Sequence, residues 1–597
     1  MSYIIDFQPV GRRGPCPEGG TLLDAARALG VDLASVCGGY GTCGSCKLQV
    51  VAGRVTPTTS REQAELSAAE LAQSYRLACL AQPLSDCTLY VPPESLTALQ
   101  RTQVEGLEVP VEVQPSVSGW VVQMERPTLE DLRGDDERLC QAVTAAGGAE
   151  PAFSDLEVAR LASAELRRLD WQARVTLRDH EIVHLAADGT PWLGLAVDIG
   201  TTKIAGYLLD MESGKTLASK GLMNPQISYG EDVISRIVAA SKSPADAAKL
   251  QSLLTEALSQ LAADLCTEVE AKSTEIVEAV VVGNTAIHHL FLGLPVKQLG
   301  LSPYVPAVDT ALDIKAREIG LQIAPGAYVH LLPNIAGYVG ADHVAMLLAT
   351  RLADQEETTL AIDIGTNTEI CLNHKGKLTS VSCASGPAFE GAHIKFGMRA
   401  APGAIEHVRF DGGKLDVQTI GGDAPVGICG SGLLDVVAQL RQNEVIQRSG
   451  KMVEHPLVHK QDDKVEFILA ERQDLEDITL SQKDIRELQL AKAAIRLGIR
   501  ALVEAEGLTE NDLKKIIIAG AFGTFIDVKS AITIGMLPDL PLERFTQVGN
   551  AAGTGARLAL ISQTERKKAD EIARHDDYIE LAKIPNFNRK FAEATYL

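Results

Sequence analysis

The pattern of apolar and polar positions predicts a chain of mixed α and β structure that is interrupted once. Segments with the period of a strand or a helix stand on both sides of the interruption, and the clearest are strands at 3–7, 47–51, 88–91 and 171–177 and helices at 21–29 and 156–168. From residue 92 the periodicity gives way to a polar, proline-containing stretch, which is typical either of a semi-rigid linker or of a surface loop packed on the next domain. The pattern therefore separates a small amino-terminal unit from a larger remainder.

One strand-and-turn pattern occurs twice in the remainder. Residues 195–202 read Leu-Ala-Val-Asp-Ile-Gly-Thr-Thr, and residues 360–367 read Leu-Ala-Ile-Asp-Ile-Gly-Thr-Asn. Each copy predicts a buried strand that ends in an aspartate, followed by a glycine–threonine turn and a second strand. A single Asp-x-Gly-Thr is weak evidence, because any strand–turn–strand segment can carry it. Two copies with matching flanks indicate a duplicated structure.

The two turns have the chemistry of a phosphate clamp. Backbone N–H groups and hydroxyls in such turns bind phosphate oxygens, whereas a carboxylate can hold Mg²⁺ through water or orient an attacking water molecule. We therefore predict Asp198 and Asp363 as the catalytic residues. The predicted phosphate-binding residues are Gly200, Thr201, Thr202, Lys203, Gly365, Thr366 and Asn367.

Two further glycine-rich segments complete the predicted nucleotide site. The segment Gly520-Ala521-Phe522-Gly523 follows an apolar run, and its small residues would let the base and ribose of adenosine lie against the backbone. The segment Gly430-Ser431-Gly432 precedes a helix and has two interpretations, an approach to the nucleotide or close packing. The sequence has no Walker A lysine loop, which excludes a P-loop enzyme.

Cysteines cluster in the amino-terminal unit. The chain has 11 cysteines, and Cys37, Cys43 and Cys46 fall within ten residues, with Cys79 further on. Four thiolates at such spacing bind a 2Fe–2S cluster, and the intervening glycines let backbone N–H groups approach the sulfurs. The alternatives are a zinc site or unrelated buried thiols. Zinc ribbons have two close cysteine pairs, and the second pair is missing here.

Other candidate residues have plainer interpretations. Cys87 competes with Cys79 as fourth ligand, but it alternates along a predicted strand and is assigned to packing. Two carboxylates near the nucleotide motifs, Glu369 and Glu390, either assist Mg²⁺ or water or have a structural role. His288 and His289 are favoured as core or helix-cap residues over a functional role. The cysteines assigned to the core are Cys16, Cys266, Cys371, Cys383 and Cys429.

Composition and charge exclude several classes of function. The formal net charge is −22 over 597 residues, which argues against a nucleic-acid partner and gives no support to binding an anionic membrane. The longest apolar runs fall well short of the roughly 18 residues that span a bilayer. The start of the chain has no basic segment before an apolar core, so no secretory signal is visible. We expect a soluble, cytoplasmic protein.

The motifs together resemble a known family. The Cys-x5-Cys-x2-Cys spacing resembles the adrenodoxin and putidaredoxin branch of 2Fe–2S ferredoxins, and Arg-Leu-Ala-Cys79 resembles the motif around their fourth ligand. The paired turns and the Ala-Gly-Ala-Phe loop resemble the superfamily of acetate and sugar kinases, heat-shock chaperone ATPases and actin. Their combination in one chain is similar to the reductive activators of corrinoid proteins. Segments 224–232, 282–289, 332–342, 385–391 and 585–591 also resemble that family.

The resemblance and the sequence pattern together imply a multidomain α+β and α/β fold. We predict a β-grasp 2Fe–2S ferredoxin domain at 1–93, a linker at 94–118 and a small α+β middle domain at 119–190. Residues 191–597 are predicted to form a duplicated, ribonuclease-H-like ATPase domain of the actin and sugar-kinase type. The middle domain carries no recognisable chemical constellation.

The resemblance implies an ATP-dependent reductive activator. Such a protein would use a 2Fe–2S cluster, ATP and Mg²⁺ to return one electron to an inactive cobalt(II) corrinoid protein of a methyltransferase system. It would also need an upstream electron donor, and relatives suggest a homodimer. Three alternatives stay open: an electron donor to another low-potential metalloenzyme, a redox-sensing small-molecule kinase, and a ferredoxin fused to a nucleotide-gated interaction module without turnover.

Overall fold

The computed structural model describes residues 2–8, 11–29, 31, 33, 41, 46–92, 95, 106–230, 232–391, 393–411, 414–461, 464–472, 476–520 and 522–597. Three of the predicted site residues, Cys37, Cys43 and Ala521, lie outside these ranges. Among the described helices, none combines the length and the apolar character that crossing a bilayer requires.

The amino-terminal unit is a mixed sheet with short helices. Its elements are β1 (Ser2–Gln8), β2 (Arg12–Pro17), α1 (Leu22–Ala28), β3 (Lys47–Ala52), α2 (Ser60–Glu65), α3 (Ala68–Ala72), β4 (Tyr75–Leu77) and β5 (Cys87–Tyr90). The strand order is β2-β1-β5-β3-β4, with β1 and β5 parallel and the other pairs antiparallel. The strands and the helix predicted in this unit are confirmed, with small shifts at their ends.

A smaller antiparallel sheet follows. Its strands are β6 (Val117–Gln123), β7 (Gln172–Arg178) and β8 (Glu181–Ala186), in the order β6-β7-β8. Two helices, α4 (Asp135–Ala145) and α5 (Leu156–Arg168), lie between β6 and β7 in the sequence. The predicted helix at 156–168 is confirmed at both ends. Asp155 caps α5 by accepting a hydrogen bond of 2.9 Å from the backbone N–H of Glu157.

The remainder forms two lobes, each built on a six-stranded sheet. The first lobe contains β9 (Leu193–Ile199), β10 (Lys203–Asp210), β11 (Thr216–Met223), α6 (Val233–Ala240), α7 (Pro244–Glu268), β12 (Ile276–Gly283), α8 (Thr285–Leu292), β13 (Leu312–Lys315), β14 (Tyr328–Leu331) and α9 (Ala341–Thr350). Its strand order is β11-β10-β9-β12-β14-β13.

The second lobe repeats this plan and adds to it. Its strands are β15 (Thr359–Ile364), β16 (Thr368–His374), β17 (Lys377–Cys383), β18 (Ala404–Asp411), β19 (Lys414–Thr419), β20 (Gly427–Ile428), β21 (Val458–Gln461), β22 (Lys464–Ala470), β23 (Ile478–Ser481), β24 (Lys515–Ala519), β25 (Phe545–Gln547) and β26 (Asp576–Tyr578). The helices of this part of the chain are α10 (Gly430–Gln442), α11 (Gln482–Ala505), α12 (Val528–Thr533), α13 (Ala551–Ile561), α14 (Gln563–His575) and α15 (Phe587–Ala594). Of these, α13 packs against α9, β9 and β12 of the first lobe.

Five strands of each large sheet share one topology, and the sixth strand lies at opposite edges, β13 beside β14 in the first sheet and β26 beside β17 in the second. In the first, β9 pairs antiparallel with β10 and parallel with β12. In the second, β15 pairs antiparallel with β16 and parallel with β24, in the order β25-β24-β15-β16-β17-β26. The repeated sequence pattern therefore corresponds to a repeated structure, with the strand that carries each aspartate at the same place in its sheet.

The small antiparallel sheet is joined to the lobes through buried charges. Glu278 on β12 is fully buried and accepts hydrogen bonds of 2.6 and 2.7 Å from the Ser116 hydroxyl. The same carboxylate lies 2.9 Å from the guanidinium of Arg566 on α14 and 3.9 Å from that of Arg178 on β7. Because a buried carboxylate is costly without partners, this group fixes β6 and β7 against the first lobe.

Candidate functional site

The two glycine–threonine turns meet at the bottom of a cleft between the lobes. The hydroxyl oxygens of Thr202 and Thr366 are 3.3 Å apart. Both hydroxyls also donate hydrogen bonds to the carboxylate of Glu390, one to each oxygen. Glu390 ends a 3₁₀ turn at Pro387–Glu390. One carboxylate thus joins the two copies of the repeated motif.

The first turn, between β9 and β10, is held from three directions. Asn224 donates its amide to the Gly200 carbonyl at 2.9 Å. Asn284, which caps α8, donates to the Thr201 hydroxyl at 3.0 Å. Arg236 is fully buried and donates to the Thr201 carbonyl, and this burial lowers the pKa of its guanidinium to about 9. These contacts fix the turn before any ligand arrives.

The second turn, between β15 and β16, is held by its own backbone and by a serine. Gly365 donates its N–H to the Asn367 carbonyl at 3.1 Å. The Ser385 hydroxyl donates to the Thr366 carbonyl at 3.2 Å and lies 2.9 Å from the Thr368 hydroxyl. The side chains of both turns are therefore presented to the cleft from fixed backbones.

Four carboxylic acids line the cleft above the turns. Asp198 and Asp363 come from β9 and β15, Asp342 from the first turn of α9, and Glu369 from β16. Burial and neighbouring acids raise the pKa of Asp198 to about 8, and burial and Asp342 raise that of Asp363 to about 7. Burial also raises the pKa of Asp342, to about 6, and that of Glu369. A group of acids that repel one another when ionised is a suitable environment for a divalent cation.

Asn550 orients one of these acids. It caps α13 by accepting from the Gly553 N–H at 2.8 Å, and its amide donates to Asp198 Oδ2 at 3.0 Å. α13 packs against both α9 and β9. An asparagine at this helix start therefore fixes the direction of the Asp198 carboxylate.

The wall opposite the first turn is built from small residues and stacked aromatic rings. Gly520 has φ +90°, and a Cβ atom there would lie 2.6 Å from Asp363 Oδ1, so only glycine fits. The rings of Phe389 and Phe522 stack with centroids 4.6 Å apart. A Cβ atom on Gly430 would lie 2.0 Å from the Phe389 carbonyl oxygen. The glycines bring backbone close to the cleft on this side.

The structure brings most of the predicted nucleotide residues to this one cleft. The cleft is lined by Asp198, Gly200, Thr201, Thr202, Lys203, Asp363, Gly365, Thr366, Asn367, Gly430, Ser431, Gly520 and Phe522. Gly432 and Gly523 instead face backbone, because Cβ atoms on them would lie 2.1 Å from the Ile405 carbonyl oxygen and 2.2 Å from that of Ala519. Their part in binding stays a prediction.

Several residues of the site received no role from the sequence. Three of them, Asn224, Asn284 and Asp342, belong to segments that resemble the family. The resemblance marked these segments but did not single out the individual residues. Asn550 directly precedes a helix, where an asparagine indicates a cap rather than a partner of Asp198. The sequence did not identify Arg236, because an arginine in an apolar helix is expected to face solvent, and only the fold shows that it is buried.

The described cluster cysteines lie beside each other. Cys46 and Cys79 are both buried, and the Ala78 N–H donates to the Cys46 carbonyl at 2.9 Å. Cys87 is also buried, and its thiol contacts the carbonyls of Arg54 and Ser85 at 3.4 and 3.2 Å. The backbone segments that carry two of the four predicted ligands are therefore neighbours near the end of β4, as a four-thiolate set requires.

The structure confirms that the histidines and cysteines assigned to the core are buried. His289 is fully buried, with Nδ1 2.7 Å from the Thr285 carbonyl oxygen and Nε2 accepting the Ala307 N–H at 2.9 Å. His288 and the cysteines Cys16, Cys266, Cys371, Cys383 and Cys429 are buried as well.

A buried polar group stands behind the cleft. His343, Cys371 and Asp576 have ligand atoms within 4.8 Å of one another. The Ser380 hydroxyl lies between two of them, at 2.9 Å from His343 Nε2 and 2.6 Å from Asp576 Oδ2. Since a hydroxyl already bridges these groups, we interpret them as a hydrogen-bonded part of the core.

Comparison with known families assigns these features to one protein type. The 2Fe–2S iron–sulfur cluster binding domain matches residues 5–84. The linker region, the middle region and the C-terminal ASKHA domain of RACo match residues 106–190, 193–355 and 357–597. A solved reductive activator for a corrinoid iron–sulfur protein is 36% identical, covers 100% of this chain and 98% of its own, and superimposes with a TM-score of 0.73. The chain belongs to the family of reductive activators of corrinoid proteins.

Two curated members of this activator family extend the comparison. The corrinoid activation enzyme RamQ of Eubacterium limosum is 39% identical over 66% of this chain and 69% of its own length. The reductase of a Co(II) methylated amine-specific corrinoid protein from Methanosarcina barkeri is 26% identical over 66% of this chain and 75% of its own. The amino-terminal domain of this activator-family chain is therefore a 2Fe–2S domain, and its carboxyl-terminal domain is of the ASKHA type.

Proposed function

We propose that this chain is an ATP-dependent reductive activator, which transfers one electron from its 2Fe–2S cluster to a cobalt(II) corrinoid protein and restores cobalt(I). The observation that carries the proposal is the presence in one chain of a ferredoxin-type cysteine site and of a cleft closed by two matching Asp-x-Gly-Thr turns. Either feature alone would fit other functions. Together, and with the activity named for the relatives, they favour redox chemistry driven by nucleotide.

The residues of the cleft fit a magnesium nucleotide. Hydroxyls of Thr201, Thr202 and Thr366 and the turn N–H groups are donors for phosphate oxygens. Asp198 and Asp363 supply hard oxygen ligands for Mg²⁺, either directly or through water. When bound, Mg²⁺ would neutralise charge on the phosphates, and the chain's part is to hold its acids in place, as Asn550 does for Asp198. The wall around Gly520 leaves room for the adenosine.

The cysteine set fits the iron–sulfur cluster. Cys46 and Cys79 lie on neighbouring backbone segments, and Cys37 and Cys43 precede Cys46 in the sequence by nine and three residues. A 2Fe–2S cluster accepts and releases one electron at a low potential, near about −400 mV for the plant type. The role of the four cysteines is to bind it, and the surrounding backbone N–H groups would set its potential through hydrogen bonds.

Nucleotide would be needed if the target has a lower potential than the cluster, because the transfer is then unfavourable by itself. For one electron, each ~59 mV by which the target lies below the donor lowers the equilibrium constant tenfold. A nucleotide can offset this only if it binds differently to two states of the protein that the electron transfer also distinguishes. We propose that the lobes of this cleft provide those two states. The same proposal includes an upstream electron donor and a homodimer.

The direct test is to follow cobalt(I) absorbance after mixing the reduced protein with a cobalt(II) corrinoid protein, with and without ATP. Asp363→Asn should abolish the ATP-stimulated part, because the amide cannot bind Mg²⁺ as a carboxylate does, and should leave the visible cluster spectrum intact. ATP-stimulated reduction at the wild-type rate in this variant would refute the assignment. Phosphate transfer to a metabolite, without any effect of a corrinoid protein, would support the kinase alternative.

A further inference from the structure

The 2Fe–2S domain is seated directly on the wall of the nucleotide cleft. Arg12, at the start of β2, is 5% exposed, and its guanidinium donates to the carbonyls of Gly397 at 3.4 Å and Val426 at 3.0 Å. It also lies 3.1 Å from the Met398 sulfur. A Cβ atom on Gly427 would be 2.6 Å from this guanidinium. One arginine of the redox domain is thus inserted between two backbone segments of the second lobe.

Both of those segments continue into the cleft. Arg399 and Ala400 line the cleft immediately after Met398, and Cys429 to Ser431 line it shortly after Val426. The two segments are joined by hydrogen bonds, since the Met398 N–H donates to the Ile428 carbonyl at 2.9 Å. Any movement of the cleft wall at these places therefore changes the contacts of Arg12 with Gly397, Met398 and Val426, which we call the seat of Arg12.

Glu390 is coupled to this seat through backbone contact. A Cβ atom on Gly397 would lie 1.9 Å from the Gly391 carbonyl oxygen, and one on Gly391 would lie 2.4 Å from the Met398 nitrogen. The backbone next to Glu390 is thus in contact with the backbone that holds Arg12. Close-packed backbone transmits displacement, because it has no free volume to absorb it.

Glu390 also occupies a position that phosphate requires. The Thr202 and Thr366 hydroxyls each have a single proton, and each donates it to Glu390. Either hydroxyl can donate to a phosphate oxygen only by leaving Glu390. The carboxylate and the phosphate are both negative, so they repel one another at this distance.

We propose that Glu390 detects nucleotide phosphate and transmits its presence to the 2Fe–2S domain, through Gly391 and the 397–398 backbone to Arg12. Phosphate binding displaces the carboxylate from the two threonines, shifts Gly391 against Gly397 and Met398, and loosens the seat of Arg12. Glu390 is a positioning residue in this scheme, because it controls where the redox domain sits. The inference rests on the proposed binding of nucleotide in this cleft.

Reciprocal linkage supplies the test. If nucleotide weakens the seating of Arg12, then removal of that contact must strengthen nucleotide binding, by up to the coupling factor, and such factors are about 5–150-fold. Arg12→Ala should therefore tighten binding of a magnesium–nonhydrolysable ATP analogue about fivefold or more, measured by calorimetry on the cluster-loaded full chain. The matched control is Arg27→Ala, an exposed arginine at the end of α1 in the same domain.

A second measurement uses the wild-type chain and does not depend on a variant folding well. The analogue should increase deuterium uptake of the peptides that cover Arg12–Pro17 and residues 396–400. In Glu390→Gln the amide lacks the negative charge that phosphate repels, so the increase should be lost although the analogue still binds. The visible cluster spectrum reports that the redox domain is intact in each sample.

The outcomes separate the two proposals. Wild-type protein that binds no analogue would overturn both the proposed function and this inference. Analogue binding without any change of uptake at Arg12–Pro17 would overturn the inference alone, as would an affinity of Arg12→Ala within twofold of wild type. An unchanged uptake response in Glu390→Gln would also contradict it, by removing Glu390 from the connection.

Discussion

Binding of Mg²⁺ and nucleotide should depend strongly on pH, because the pKa values of the acids in the cleft are raised toward neutrality. The pKa of Asp198 is raised to about 8, mainly by burial and then by Asp342 and Asp363, and the pKa of Asp363 is raised to about 7 by burial and Asp342. Mg²⁺ requires ionised carboxylates, so binding must release protons. Affinity should therefore fall as the pH falls below 8.

The size of the effect follows from these pKa values. Between pH 8 and pH 6 the ionised fraction of Asp198 alone falls by about 50-fold, and requiring Asp363 to be ionised as well gives a fall in affinity of about 500-fold. The stability of the ligand-free protein should change with pH in the opposite direction to the affinity. A carboxyl with a raised pKa favours the folded state while it is protonated, so stability is lost as the pH rises, by up to about 1.4 kcal/mol per pH unit for each such group.

Calorimetry in two buffers with different ionisation enthalpies would measure the protons released on binding the magnesium–ATP analogue. We expect between one and two protons at pH 7 for the wild type. Because the nucleotide's own phosphate also titrates, Asp198→Asn is the necessary control, and it should release about one proton fewer and show a flatter pH dependence. Equal proton release by variant and wild type, or an affinity that does not change between pH 6 and pH 8, would show that these acids do not ionise on binding.

Three further changes test other parts of the molecule. Glu278→Ala removes the close partner of the buried Arg566 guanidinium and should destabilise the fold by about 3–5 kcal/mol, measured by denaturant unfolding. A loss below about 1 kcal/mol would mean that water replaces the carboxylate. Gly520→Ala places a Cβ atom 2.6 Å from Asp363 Oδ1 at φ +90°, so it should weaken binding of the analogue at least tenfold. The matched control is Gly507→Ala, which also has a positive φ, +67°, but no atom within 4 Å of its Cβ atom. The control should change only the free energy of unfolding, by about 1 kcal/mol. Cys79→Ser should abolish the visible cluster spectrum and Cys87→Ser should preserve it, and the reverse result would exchange the two assignments.

The sequence predicted the parts of the site that depend on short segments. A strand that ends in aspartate before Gly-Thr specifies its own hairpin, so Asp198 and Asp363 and the residues of both turns were identified without the fold. Glu390 was found only as one of two ambiguous acids, because its role depends on threonines 188 and 24 residues away. Arg12 could not be found at all, since its partners lie about 400 residues further along the chain.

What the amino-acid sequence determined by itself is local chemistry: a cysteine loop with ferredoxin spacing, two phosphate turns and the helices and strands around them. These follow from periodicity, glycine conformational freedom and ligand type, which act over a few residues. Only the tertiary structure decided that the two turns share one carboxylate, that four acids from four elements lie in one cleft, and that the redox domain rests on its wall. Those relations depend on which distant segments pack together, because burial and charge proximity arise only when the whole chain has folded.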